Sequence, residues 1–343
     1  MKTTKLLFIA FITALLLYSC KDNSVNPEDK LLPGSRNYQW SVDTLLASPG
    51  DLFEISRLSG SSPNDVWGIG GNTSTAATQL WHFNGKKWSK PSPSTYITAL
   101  YVFSKSNAWY FTNNSFYHYD GSNWSKFGEY KLTGYDRTFI YNIWGSASND
   151  IYAVGYADNN RFENIQSVLM HFDGYGWSYI NLPPLKVQFI EIAKKNNTGE
   201  YIIGGIFSTS KEYTGKVYIY KNDALKEIYS GVGPATVNYL NGEVYVGIKQ
   251  KIYKVINDKL TLWRDLTGTS YIGKIWGGNN AFDFFAGAYD GVGHYNGIDF
   301  KTVYKVKEGF YSQTGIFIED NFFIAWHNLY DNTNIIVRGK KIN

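Results

Sequence analysis

Four of the five histidines in the 343-residue chain stand in one recurring slot: His82 in LWHFNGKKW (80–88), His118 in FYHYDGSNW (116–124), His171 in LMHFDGYGW (169–177) and His294 in VGHYNGIDF (292–300). Histidine is the commonest metal ligand and a general acid–base. A metal centre, however, gathers its ligand nitrogens within about 2 Å of one ion. One histidine per repeat copy is held apart by the repeat itself, so the slot predicts a local hydrogen bond inside each copy. The Asx-Gly pair two residues on could offer an oxygen to calcium, but Asn84 and Asn296 replace Asp120 and Asp173. A hard cation that gathers several oxygens is a poor match for one exchangeable side chain per turn, so turn formation is the expected role.

Catalytic chemistry is thinly represented. Glycosidases need two carboxyl groups about 5 to 9.5 Å apart, and the acids of the candidate innermost strands are Glu54, Glu191 and Glu319. Glu54 and Glu319, with Arg57 beside them, are the pair that neighbouring repeats would bring together. The arginines (36, 57, 137, 161, 264 and 338) are scattered, and no Ser-His-Asp order, phosphate loop or metal motif of the Cys/His or HExxH type occurs. No cofactor and no metal is expected.

The elements that must carry these residues are strands. Aromatics make up 17% of the chain (28 Tyr, 21 Phe, 11 Trp), with 33 Gly for turns and only 2 Met and 9 Pro; aromatics favour strands. Each histidine copy reads as a hairpin closed by an Asx-Gly type I′ turn, and VYIYKNDALKEI (217–228) and IYKVINDKLTLW (252–263) are degenerate copies. Upstream of each copy lies a strand of the type NDVWGIGG (64–71) or NDIYAVGY (149–156), seven in all, and before each of these a further strand such as IYNIWGSA. Four antiparallel strands recurring in this way read as a β-propeller blade. The seventh copy holds three strands. NYQWSVDTL (37–45), whose Trp-Ser matches Trp88-Ser89 and Trp124-Ser125, is the expected fourth. The fold class is therefore all-β, a seven-bladed propeller over residues 37–343 closed by an N-terminal strand. Trp40, Trp88, Trp124, Trp177 and Trp263 are expected to pack between blades.

These repeats resemble the S-x-x-D-V-Y-A-V-G … H-Y-D-G-x-x-W propeller repeats of bacterial secreted proteins, and are similar in pattern to Asp-box and Kelch-like propellers. The resemblance spans about residues 37–343 and is strongest in the first, second, third and sixth copies. It implies the fold and little about function, since such scaffolds host many activities.

The first residues read as a targeting segment. MKTTK is basic, and the apolar run Leu6 to Tyr18 is 13 residues long, short of the about 20 needed to span a membrane. It ends in LYSC, which resembles a bacterial lipobox and implies diacylation of Cys20 with cleavage before it. Residues 1–19 are then a signal peptide and 20–36 a lipidated flexible tether, with the membrane as a partner through Cys20. The Lys-Asp pair after Cys20 is similar to the export signals of Bacteroidota surface lipoproteins, which implies outer-membrane, outward-facing display. Cys20 is the single cysteine, so no internal disulfide forms. The net charge of +4 falls to +2 without Lys2 and Lys5, too small to suggest nucleic acid as a partner.

Function on a rigid scaffold concentrates where loops interrupt the repeat. The long connections 72–79, 129–138, 157–167 and 208–215 open on one face, and Tyr135, Asp136, Arg137, Arg161, Phe162, Glu163, Lys211 and Tyr213 there mix aromatic and charged groups as a binding rim does. The expected function is a non-catalytic scaffold for a glycan or an envelope protein. The alternatives are a carbohydrate-active hydrolase or lyase using Glu54 and Glu319, and a structural part of an outer-membrane assembly.

Overall fold

The computed structural model describes residues 33–45, 53–72, 78–90, 96–159, 163–209, 212–328, 330–331 and 333–342. From Gly34 onward these form one compact unit, and it is a seven-bladed β-propeller of four-stranded antiparallel sheets. The innermost strands, blade 1 to blade 7, are Phe53–Ser62, Ile97–Ser104, Arg137–Ala147, Gln188–Lys194, Ala235–Leu240, Tyr271–Asn280 and Phe310–Ile318. Each touches the next, and the last touches the first, so the ring is closed.

Closure occurs where the repeat count demands it. The outermost strand of blade 7 is Tyr38–Leu45, paired antiparallel with Asn334–Lys341 from Tyr38↔Lys341 to Leu45↔Asn334. Asp43 ties this strand to both neighbours. It pairs with Arg338 of blade 7 at 2.7 Å and accepts the indole N–H of Trp88, blade 1, at 3.1 Å.

The core is divided into seven clusters, one in each gap between blades. A strand presents alternate side chains to opposite faces, so each blade feeds two gaps. In the second strand of blade 2, Ala108 and Tyr110 pack toward blade 1 while Trp109 and Phe111 pack toward blade 3. The second strands are buried on both faces in this way and read as near-continuous apolar runs, whereas outermost strands such as Trp124–Glu129 and Ala224–Val232 are largely exposed. The tryptophans lie between blades as expected: Trp177 of blade 3 stacks on Phe116 of blade 2 with ring centroids 3.9 Å apart, and Trp40 of blade 7 meets Tyr304 of blade 6 at 5.1 Å.

The turns differ from expectation in an informative way. Asn222-Asp223 and Asn257-Asp258 have positive φ at both residues and close two-residue turns, as type I′ requires. In the histidine-bearing copies only the glycine has positive φ, and four residues, such as 120–123, separate the paired Tyr119 and Trp124. The Asp120 carboxylate accepts the amides of Ser122 and Asn123, both at 2.8 Å, and holds that wider loop.

The segment expected to act as tether through residue 36 is held from Gly34 onward. The Gly34 amide donates to the Asn296 carbonyl at 2.8 Å, and Arg36 pairs with Asp299 at 2.6 Å. A side chain at position 34 would strike the carboxylate of Asp283, so the glycine permits the close approach. Cys20, the signal segment 1–19 and tether residues 20–32 lie outside the described residues.

Candidate functional site

The histidine slot is structural. In blade 1, His82 Nε2 bonds Asp65 Oδ1 at 2.8 Å. The equivalent pairs are His171–Asp150 at 2.9 Å, His294–Asp283 at 2.5 Å and His118–Asn107 at 3.1 Å. Each partner opens the second strand of the same blade, so the Asp of the D-V-W or D-I-Y repeat and the His of the hairpin are one unit. Burial pushes the carboxyls of Asp65, Asp150 and Asp283 up, but hydrogen bonds from the histidine and neighbouring donors outweigh it and hold them below the usual range. The turn oxygens are equally committed. Asp173 accepts the amides of Tyr175 and Gly176, and Asn84 and Asn296 do the same in their own loops. An amide oxygen serves as well as a carboxylate, which explains the Asp/Asn exchange. Among the described residues no group of three or more His, Asp or Glu is arranged to hold a metal ion.

The expected rim is brought together only in part. The link residues Tyr135, Asp136 and Arg137 do meet the hairpin of blade 3, where the Asp136 amide donates to the Asp158 carbonyl and to Asn159 Oδ1, both at 3.0 Å. Arg137 forms a two-pronged bond to the fully buried Asp158 at 2.8 and 2.7 Å, and Tyr135 packs against the core between blades 2 and 3. These side chains hold the loop. Tyr213 opens the third strand of blade 4 and is exposed; Glu163 opens the third strand of blade 3. Arg161, Phe162 and Lys211 lie outside the described residues.

The acid pair is not brought together. Glu54 stands near the start of its innermost strand and accepts the hydroxyl of Tyr311, blade 7, at 3.0 Å. Glu319 lies in the turn after Ile318, at the other end of blade 7's innermost strand. Eight extended residues separate Tyr311 from Glu319, roughly 26 Å at about 3.3 Å per residue. Neighbouring blades pack face to face, but strand direction puts these two residues at opposite ends of the ring's channel. Burial, then the Glu54 carboxylate, pushes the Tyr311 phenol up to about 12.

A different set of charges does converge. Register shifts after Ile55, Phe189 and Ser312 re-aim the innermost strands, as bulges do, and place Arg57, Glu191 and Thr314 on the central channel. Lys274 of blade 6 reaches past blade 5 to form an ion pair with Glu191, and also donates to the Val237 carbonyl at 3.2 Å. The second Glu191 oxygen accepts the Val237 amide. Across the channel, Arg57 donates from Nε to the Thr98 carbonyl at 3.3 Å. Its two Nη groups make no hydrogen bond or ion pair with any described residue. Burial lowers the Arg57 pKa, opposed by the charges of Glu191 and Tyr141. The cavity beside this layer holds about 750 Å³ and runs to the first-to-second-strand turns at Asn241 and Ile318. Glu191 and Lys274 were not singled out together from the sequence. The signal was a charge inside an apolar innermost strand, in QFIEIAK and YIGKIWGGNN.

On the face carrying the blade-to-blade links, Tyr96, Tyr213, Tyr289 and Tyr330 are exposed by 45%, 42%, 74% and 81%. They are four of the six exposed tyrosines among the described residues. No protein-family model and no curated protein matches this chain, so what it does must be argued from this geometry.

Proposed function

We propose that this protein is a lipid-anchored, surface-displayed binding propeller, without catalytic activity, whose ligand is a glycan. The observation that supports this best is the tyrosine-bearing face around the channel. Tyrosine offers a flat apolar ring and a hydroxyl at small entropic cost, a combination that suits the mixed surface of a sugar. The histidines and aspartates of the repeat are committed to strand and turn contacts, and Glu54 and Glu319 stand at opposite faces.

The chain enters the ring at Gly34–Arg36, beside the outer turn of blade 6. That turn belongs to the face opposite the tyrosines. With Cys20 acylated, a Bacteroidota-type tether would hold that opposite face toward an outer membrane and leave the tyrosines outward. Replacing Cys20 by Ala should abolish fatty-acid labelling and release the protein from the membrane fraction; unchanged labelling would overturn the anchor. A glycan array probed with residues 34–343 tests the ligand class. Binding lost in the combined Ala variant of Tyr96, Tyr213, Tyr289 and Tyr330, with its melting temperature kept, supports the face as the site. A blank array with folded protein would turn the reading toward an envelope protein as partner.

A further inference from the structure

Resting on the glycan reading, we propose that the central channel takes an acidic saccharide, with the carboxylate of a uronic-acid unit bound by Arg57. The guanidinium is half-buried, its Nη groups are unpartnered among the described residues, and it faces a cavity of about 750 Å³, within the range of small-ligand sites. Half-burial removes part of its hydration with no ion-pair partner among the described residues in return, a cost that an anionic ligand would offset.

The surroundings select the kind of anion. Glu191 and Lys274 neutralise one another, so the three charges leave a single net positive charge in the channel. That complements one carboxylate and offers little compensation to a dianionic phosphate. Arginine's planar fork matches a carboxylate with two parallel hydrogen bonds, and Nε is already fixed on Thr98, so the Nη edge is the one presented. Indoles and phenols of the innermost strands, Trp144, Tyr239 and Trp276 among them, line the rest of the cavity and supply faces for a sugar ring.

The test is calorimetric titration of the purified full chain with a digalacturonate, with its methyl ester and with inorganic phosphate. The expected result is binding of the digalacturonate, weakened about 10- to 100-fold by Arg57→Gln and partly restored by Arg57→Lys. The ester and phosphate should bind at least ten times more weakly than the acid. Glu191→Gln, which leaves the fork intact and raises the channel charge, should tighten the acid and narrow its advantage over phosphate. Equal binding of acid and ester, no binding of the acid to wild type, or an unaffected Arg57→Gln variant that melts as wild type would each overturn the channel site. Neutral glycans binding through the tyrosine face would then leave the broader reading standing. Digalacturonate bound through Arg57 with affinity unchanged in the tyrosine variant would keep the channel and discard the face.

Discussion

Asp65, Asp150 and Asp283 show how one repeated residue does several jobs. Asp65 accepts from His82, from the Trp67 indole at 3.1 Å and from Ser61 at 2.5 Å, so a strand start, a hairpin and a turn share one carboxylate. Replacing Asp283 by Ala should destabilise the fold by on the order of 3 kcal/mol, because His294 is completely buried and would lose its partner; chemical denaturation reads this. The pH dependence has a definite sign. Carboxyls held below their usual range stabilise the fold above the unfolded pKa of about 4, and that contribution disappears as pH falls through their lower folded values. The melting temperature should therefore fall on acidification below about pH 4, and Asp→Asn at position 65 or 150 should flatten that dependence.

At the scale of elements, the gaps between blades carry the stability. Trp177 is a blade 3 residue whose ring lies on Phe116 of blade 2, so truncation to Ala should cost about 3–5 kcal/mol, measured by denaturant titration. The closing strand matters in another way. Removing residues 34–45 would strip the pairing partner from Asn334–Lys341 and expose an unpaired edge, which invites strand-to-strand association. The expected outcome is oligomers by light scattering and a broadened melt, whereas a monomer with the wild-type melt would show the strand to be dispensable. Asp43→Ala, which loses the Arg338 and Trp88 bonds together, should give a milder version of the same change.

For the whole ring, the tyrosines set the alkaline limit. Burial pushes the phenols of Tyr101 and Tyr201 up to about 12, and those of Tyr110, Tyr152, Tyr156 and Tyr271 are raised as well. A phenol with a raised folded pKa contributes its full stability below the unfolded value of about 10 and loses it as pH climbs. Absorbance titration should show these buried phenols ionising only on unfolding, in one cooperative step above pH ~10. A smooth single titration of all 28 tyrosines in folded protein would mean the gaps between blades are open to water.

The fold class, seven blades and closure by residues 38–45 were determined by sequence alone. A propeller repeats one local unit, and hairpin signals and alternating apolar residues act over short separations. The local role of the histidines was legible for the same reason, since His82 and Asp65 belong to one blade. The turn geometry was less so: Asp-Gly satisfies a two-residue turn in principle, and only the backbone reveals the wider loop held by the side-chain oxygen. The site was decided by tertiary structure. Strand direction alone sends Glu54 and Glu319 to opposite faces, and Arg137 is spent on Asp158. Glu191 and Lys274 meet across 83 positions of sequence, because ring closure joins residues that no local pattern relates. Bulges then turn Arg57 into the channel with its fork unpartnered, an arrangement fixed by the curvature of seven sheets around a common axis.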